Sequence, residues 1–173
     1  MIKKTIFYID KFNKDLSNFF SWLILAVTLV AFTVVILRYF FNIGFVWLQE
    51  SYLWMHGLVF LFGAPYALMQ DKHVRVDIFY RPSSEKTKAY INIIFTILFL
   101  IPFIFIILKY SLPYVYKSWG SLERSRDAGG LGFLYLYKTS IIIFCFLLFF
   151  QSISFFLQSV LVVVGKKNRF LNR

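Results

Sequence analysis

Histidine offers the most versatile chemistry in this sequence, and the chain contains two, His56 and His73. Suitably spaced histidines bind haem or a metal ion. These two are 17 residues apart, so on one continuous helix they would be separated by roughly 25 Å. One chain therefore cannot hold a single haem between both. A haem bound by one histidine or shared between subunits stays open, beside a helix contact for His56 and a loop hydrogen bond for His73.

The other reactive side chains form no recognisable catalytic set. The sequence contains no CxxC, HExxH, GxSxG or P-loop motif, and nothing pairs a serine with a histidine as nucleophile and base. Asp71 and Asp77 flank His73 in a connection that is more typical of a solvated, salt-bridged loop. The single Cys145 can form no disulfide within the chain. We expect no enzyme activity and no cofactor.

The chain contains four long stretches without a charged side chain, and the residues discussed above lie within them or in the connections between them. The 19 Lys and Arg and the 8 Asp and Glu all lie outside them. The stretches are Leu16–Leu37, Ser51–Gln70, Ala89–Leu108 and Thr139–Gly165. About 20 apolar helical residues match the ~30 Å hydrocarbon core of a bilayer, where backbone must satisfy its own hydrogen bonds. We predict an all-α integral membrane protein, one domain over residues 1–173. The predicted spans are approximately 16–38, 47–70, 88–112 and 138–165.

The basic residues predict the orientation of these spans. Of the 19 Lys and Arg, 13 lie before the first stretch, between the second and third, or after the fourth. The other connections carry six. Because Lys and Arg concentrate in cytoplasmic connections, we expect both termini in the cytoplasm. The net charge of +11 then reflects topology and lipid headgroups, without a nucleic-acid partner.

The first 15 residues alternate apolar and charged side chains, as in Phe7 and Phe12 against Asp10 and Lys11. This pattern is typical of a short amphipathic helix lying at the membrane interface. The apolar run that follows is 22 residues long, beyond the core of a signal peptide, and no small-residue cleavage site follows it. We therefore expect this run to be retained as a span.

Several residues indicate helix contacts and boundaries. Gly63 and Ala67 form a small-xxx-small pair, which lets another helix approach closely. Arg38 and Glu50 bracket the first outer connection, where an ion pair would orient neighbouring helices. We also expect Ser84 to cap the third spanning helix.

No stretch contains Asp, Glu, Lys or Arg, and His56 is their only histidine. A protein that moved charged solutes by itself would normally carry ionisable residues or broken helices near the bilayer midplane. The sequence therefore favours a supporting or assembly role. A redox membrane anchor and a small self-assembling exporter are the alternatives.

Four motifs then appear in order along the chain: Arg38-Tyr39, Trp47-Leu48-Gln49-Glu50, Gly63 with Ala67, and His73-Val74-Arg75-Val76-Asp77. With their spacing relative to the four spans, they resemble the small membrane subunit of tripartite ATP-independent periplasmic (TRAP) transporters, the DctQ-like family. The segments Trp119–Ser125, Gly129–Leu131 and Tyr137-Lys138 look like the branch labelled for mannitol or chloroaromatic compounds. Gly132 stands where that branch often has proline.

The resemblance implies a complex in the bacterial inner membrane. A large multi-span subunit would carry the substrate and sodium sites, and a periplasmic binding protein would deliver a solute, commonly an organic acid. This chain would be an accessory scaffold of that sodium-coupled symporter. The alternative is a haem- or quinone-associated anchor of a redox complex. We expect architectural or subunit-contact roles for Arg38, Trp47, Glu50, Gly63, Ala67, His73 and Asp77. Candidate contacts with the binding protein are Trp119, Glu123, Arg124 and Arg126.

Overall fold

The computed structural model describes residues 2–70, 80 and 82–165, and every regular element in them is helical. A π-helical segment, Thr96–Leu100, joins the fourth helix to the fifth. The helices are α1 (Ile2–Ser21), α2 (Leu23–Phe40), α3 (Val46–Met69), α4 (Glu85–Phe95), α5 (Ile101–Gly120) and α6 (Leu134–Val163). In this part of the chain, four helical runs are long and apolar enough to cross a membrane. They are Ile2–Phe40, Val46–Met69, Glu85–Gly120 and Leu134–Val163. The predicted all-α membrane fold with four spanning helices is confirmed.

The first of these runs is almost continuous. α1 and α2 are separated only by Trp22, which itself keeps right-handed helical backbone angles. No glycine or proline occurs between residues 2 and 40, so nothing in the sequence ends a helix near residue 15. The helix therefore extends six residues past the end that we expected for the N-terminal amphipathic segment.

Proline accounts for the π-helical segment before α5. Pro102 has no N–H to donate to the carbonyl four residues earlier, and its ring would crowd that carbonyl. The backbone widens just before it, and the Ile101 N–H bonds to the Thr96 carbonyl five residues back. A π-bulge of this kind lets a helix continue past such a defect.

Single residues with suitable side chains or backbone preferences mark the other helix boundaries and turns. The Ser84 side chain accepts a hydrogen bond from the Thr87 N–H at 3.2 Å, so the predicted cap of α4 is confirmed. Asn42 adopts a left-handed conformation (φ 55°) in the turn between α2 and α3. Gly129 does the same (φ 80°) in the 121–133 connection before α6. Both positive φ angles reverse the chain at residues that tolerate them.

α6 lies at the centre of the bundle and packs against α1, α3, α4 and α5. A buried apolar cluster forms along it and comprises Leu68, Leu100, Ile104, Cys145, Leu148 and Phe155. Cys145 is a free, buried cysteine that fills space in this cluster. By contrast, α2 packs mainly on α3 and has no buried residue. Its surface, like most of this bundle, is apolar and suited to lipid or to another membrane subunit.

Candidate functional site

One side of α3 is turned away from the other described helices. Leu53 and Phe60 are 55% and 72% exposed, and His56 between them is also exposed. Gly63 and Ala67 continue the same stripe at helical spacing. A Cβ added to Gly63 would meet no atom within 4 Å. We call these five residues the open face of α3. At Gly63, the predicted small-xxx-small pair therefore makes no close helix contact within the described chain.

The close helix approach in this chain occurs instead at Gly57. A Cβ there would lie 2.0 Å from the Tyr137 hydroxyl and 3.1 Å from its ring carbon Cζ. The Tyr137 ring stacks on Trp54 with centroids 5.0 Å apart and planes 10° from parallel. Trp54 and Gly57 thus join α3 to the start of α6. Trp54 and Gly57 are three residues apart and share one face of α3, although this spacing does not identify the helix opposite.

Glu50 holds the 121–133 connection against α3. One carboxylate oxygen accepts a hydrogen bond from the Ser125 hydroxyl, and the other accepts one from the Leu131 N–H at 2.6 Å. A Cβ on Gly130 would lie 2.7 Å from Glu50 Oε2, so this approach requires glycine. Since Glu50 lies near the start of α3 and Leu131 just before α6, both helices begin at this end of the bundle.

The predicted pair between Arg38 and Glu50 does not form. Arg38 is exposed at the end of α2 and makes no ion pair with any described residue. Glu50 is already occupied by two donors from the 121–133 connection. Because Glu50 already accepts two hydrogen bonds, an ion pair with Arg38 would add little stability. The Arg38 guanidinium can instead extend into water or headgroups. Trp47 is also half-exposed, with its ring 6.1 Å from that of Phe45.

The four residues expected at a binding-protein contact fall into two groups. The Trp119 indole N–H donates to Thr139 Oγ1 at 2.9 Å, and its ring meets Tyr135 edge-on. Glu123 forms an ion pair with Lys138. Trp119 therefore joins the end of α5 to α6, and Glu123 joins the 121–133 connection to α6. Arg124 and Arg126 are exposed and make no ion pair within the part of the chain that the structure describes.

The ion pair between Glu123 and Lys138 also lowers the pKa of the Glu123 carboxyl. The hydrogen bond from Lys138 holds the pKa of Glu123 below its ordinary value of 4.5. Lys138 is itself buried, and its ammonium nitrogen lies 4.0 Å from the centroid of the Tyr114 ring. Cation–π attraction and the ion pair together fix this lysine. The start of α6 is thereby tied to both α5 and the 121–133 connection.

A family model matches most of the chain. The model for the DctQ component of tripartite ATP-independent periplasmic transporters matches residues 27–162. The chain belongs to the DctQ family. It is therefore a small membrane subunit of a TRAP transporter and a multi-pass protein of the inner membrane. Neither the comparison with curated proteins nor that with solved structures finds a match.

Family membership supports a transporter subunit and gives no support to the redox anchor that the sequence left open. DctQ proteins are components of transporters, not a family of enzymes or redox anchors. Within the described residues, no three His, Cys, Asp or Glu side chains gather as metal ligands. His73 and Asp77, from the motif that supported the resemblance, lie outside the described residues. Their subunit-contact roles in this DctQ chain stay predictions.

A buried polar cluster, which was not predicted from the sequence, joins α1 to α6 in the DctQ-family chain. Asp10 Oδ1 accepts hydrogen bonds from Gln151 Nε2 at 2.9 Å and Ser154 Oγ at 2.6 Å. Its Oδ2 accepts one from Gln158 Nε2 at 3.0 Å, and Asn13 donates to Gln151 Oε1 at 2.7 Å. Residues 151, 154 and 158 share one face of α6, which was the available signal. Pairing each with α1 required the tertiary structure.

This cluster corrects our interpretation of α1. Asp10 was expected on the charged, solvated side of an amphipathic helix, yet it is only 7% exposed. The exposed side carries Tyr8 and Phe12 together with Lys11. Three donors from α6 compensate the carboxylate for lost hydration, so the polar side of α1 faces protein. α1 is therefore one element of the helical bundle.

Proposed function

We propose that this subunit braces the large membrane subunit of its TRAP transporter, as a scaffold that does not itself conduct the solute. Its four uncharged stretches contain no Asp, Glu, Lys or Arg to bind an ionic substrate at the membrane centre. Its bundle is held by hydrogen bonds and apolar packing around α6. Both features suit a rigid frame for a moving partner.

The open face of α3 is the observation that carries this proposal. Gly63 has free space beside it, although small residues on spanning helices usually line close helix contacts. Ala67 follows one turn later on the same side. Lipid chains derive no advantage from a small residue, whereas a packed helix does. A helix of the large subunit is the proposed occupant.

Co-purification tests this role. The tagged chain is expressed with the large subunit, extracted in mild detergent, and the retained partners are quantified by mass spectrometry. We expect stoichiometric recovery with the wild-type chain and a clear loss with Gly63→Leu. Gly120→Leu is the matched control, because a Cβ there also meets no atom within 4 Å but lies at the end of α5. Equal recovery with Gly63→Leu would contradict the proposed face.

Sodium coupling and the solute belong, in this proposal, to the large subunit and the periplasmic binding protein. An organic acid delivered by the binding protein would be imported with sodium through the large subunit. The absence of Asp, Glu, Lys and Arg from the four stretches supports this division of labour. Sodium-dependent uptake tests it in three sets of vesicles, which hold the large subunit alone, this chain alone, or both. Uptake mediated by this chain alone would contradict it.

The second proposed contact is between the 121–133 connection and the binding protein. Arg124 and Arg126 form an exposed basic pair on a connection that Glu50 and Lys138 hold in place. Such a pair would attract an acidic surface and increase the association rate. Replacing both arginines by glutamine should lower the association rate with the binding protein and reduce its salt dependence. An unchanged association rate with an unchanged salt dependence would contradict the proposed contact.

The proposed orientation places this connection in the periplasm and both termini in the cytoplasm. The excess of Lys and Arg on the opposite side supports it. The exposed Tyr8, Phe12 and Lys11 on α1 would then meet the cytoplasmic headgroup region. Labelling of single cysteines at positions 14 and 126 with an impermeant thiol reagent in intact spheroplasts tests the orientation, in a Cys145→Ser background. Labelling at 14 but not at 126 would overturn it.

A further inference from the structure

His56 occupies an unusual place on the open face of α3. The helix has 24 residues, and His56 is the eleventh. At ~1.5 Å per residue, the imidazole begins about 15 Å from the Val46 end of a helix about 36 Å long. If α3 crosses the bilayer end to end, His56 lies near the midplane. Water and headgroups are then out of reach of its side chain.

The described chain provides no partner for this imidazole. His56 is exposed, and none of residues 2–70, 80 and 82–165 forms a hydrogen bond with it. A neutral imidazole carries one N–H donor and one acceptor nitrogen. An unsatisfied polar group in hydrocarbon is costly, and ionisable residues within spans almost always face protein or a water-filled cavity. Lipid alone therefore does not suit this face.

The neighbouring residues indicate what covers it. Gly63 lies two turns further along the same stripe and leaves room for a second backbone, followed by Ala67. Phe60 and Leu53 are large, exposed and apolar on either side of His56. A helix lying along this stripe would pack against the two small residues and bury the two large ones. It would also bring a side chain or carbonyl next to the imidazole.

We infer that His56 donates a hydrogen bond to an oxygen acceptor on a transmembrane helix of the large subunit, which packs along the open face of α3. This inference rests on the proposed scaffold function and adds the face and the chemistry of the contact. The acceptor is a carboxylate, a hydroxyl or a backbone carbonyl freed at a helix break. Specific pairing at one depth would fix the register of the two helices.

Three variants at one position test the inference in the co-purification assay. His56→Phe keeps a ring but removes the donor, and we expect association with the large subunit to weaken roughly three- to tenfold, the value of one interhelical hydrogen bond. His56→Gln keeps an N–H donor and should remain within about twofold of wild type. Leu29→Phe, an exposed position on α2, controls for adding a ring to the membrane surface and should leave association unchanged. Association of His56→Phe equal to wild type would overturn the inference.

A photoreactive phenylalanine analogue at position 56 identifies the occupant directly. Crosslinking to the large subunit is the expected result. Crosslinking to lipid alone, or to a second copy of this chain, would refute the inference. The two proposals fail differently: if the wild-type chain does not retain the large subunit, the scaffold function fails. If the wild-type chain and His56→Phe retain it equally well, only the His56 contact fails.

Discussion

Replacing Gly57 by alanine should destabilise the chain through one identifiable contact. The new Cβ would lie 2.0 Å from the Tyr137 hydroxyl oxygen. The Tyr137 ring would have to move by more than about 1 Å to restore ordinary contact, and it is stacked on Trp54 with centroids 5.0 Å apart. Overpacking of this kind costs about 1–3 kcal/mol.

Helix propensity acts in the opposite direction. Alanine is favoured over glycine inside a helix by about 0.5–1 kcal/mol. The steric cost is larger, so Gly57→Ala should lower the free energy of unfolding by about 1–2 kcal/mol. For a chain of this size, each kcal/mol corresponds to roughly 2–4 °C in the melting temperature. The expected loss is therefore about 2–8 °C.

The clash can be relieved from the other side. Tyr137→Phe removes the hydroxyl and leaves ring carbon Cζ at 3.1 Å from the new Cβ, which requires a shift of only a few tenths of an ångström. The double variant Gly57→Ala, Tyr137→Phe should therefore melt within about 2 °C of Tyr137→Phe alone. Gly63→Ala is the matched control on the same helix, because its Cβ meets nothing within 4 Å. It should be neutral or slightly stabilising.

Thermal unfolding of the purified subunit in mild detergent measures all five forms, with loss of monodisperse protein as the readout. The reasoning fails if Gly57→Ala is as stable as wild type. It fails equally if removal of the Tyr137 hydroxyl does not restore the alanine variant. In either case the close contact between α3 and α6 would not be at Gly57.

Three further predictions concern the polar contacts. Asp10→Leu should cost about 2–3 kcal/mol by leaving its α6 donors unpaired, and Asp10→Asn about 1 kcal/mol, because one acceptor oxygen remains; thermal unfolding that ranks them equally would contradict this. Gly130→Ala should increase amide hydrogen exchange across 121–133, because its Cβ would displace both Ser125 and Glu50. Gly129→Ala is less informative, because the positive φ of residue 129 strains alanine whatever the space. The ion pair of Glu123 has a lowered carboxyl pKa, so its stabilising effect is present above pH 4.5 and is lost as the pH falls below 4.5 through the folded-state pKa. Wild type and Glu123→Gln should therefore exchange differently in this connection at neutral pH and converge in acid; a constant difference would refute the assignment.

The membrane class of the chain follows from sequence alone. Uncharged stretches of about 20 residues leave the backbone no alternative to helix in hydrocarbon. Turn and cap residues act through their own backbone preferences, so the turn at Asn42 and the cap at Ser84 were also predictable. The order of short motifs carried the family resemblance, which the match over residues 27–162 supports.

The contacts of charged and small residues were not predictable in the same way. Glu50 was assigned to Arg38, its neighbour across a short turn, but it bonds to residues 75 and 81 positions further along the chain. Asp10 was assigned to solvent, but donors more than 140 positions away bury it. Helical periodicity states which residues share a face; it does not state which helix lies opposite.

The same limit explains the two glycines of α3. Sequence spacing favoured Gly63 as the site of close approach, yet the packing of α6 places that approach at Gly57 and leaves Gly63 open. Residue type therefore determined that α3 can be approached closely, because glycine lacks a side chain. Only the arrangement of all the helices decided which side is used within the chain and which remains for a partner. Steric fit between distant segments depends on how all the helices pack together. A local sequence pattern therefore cannot predict it.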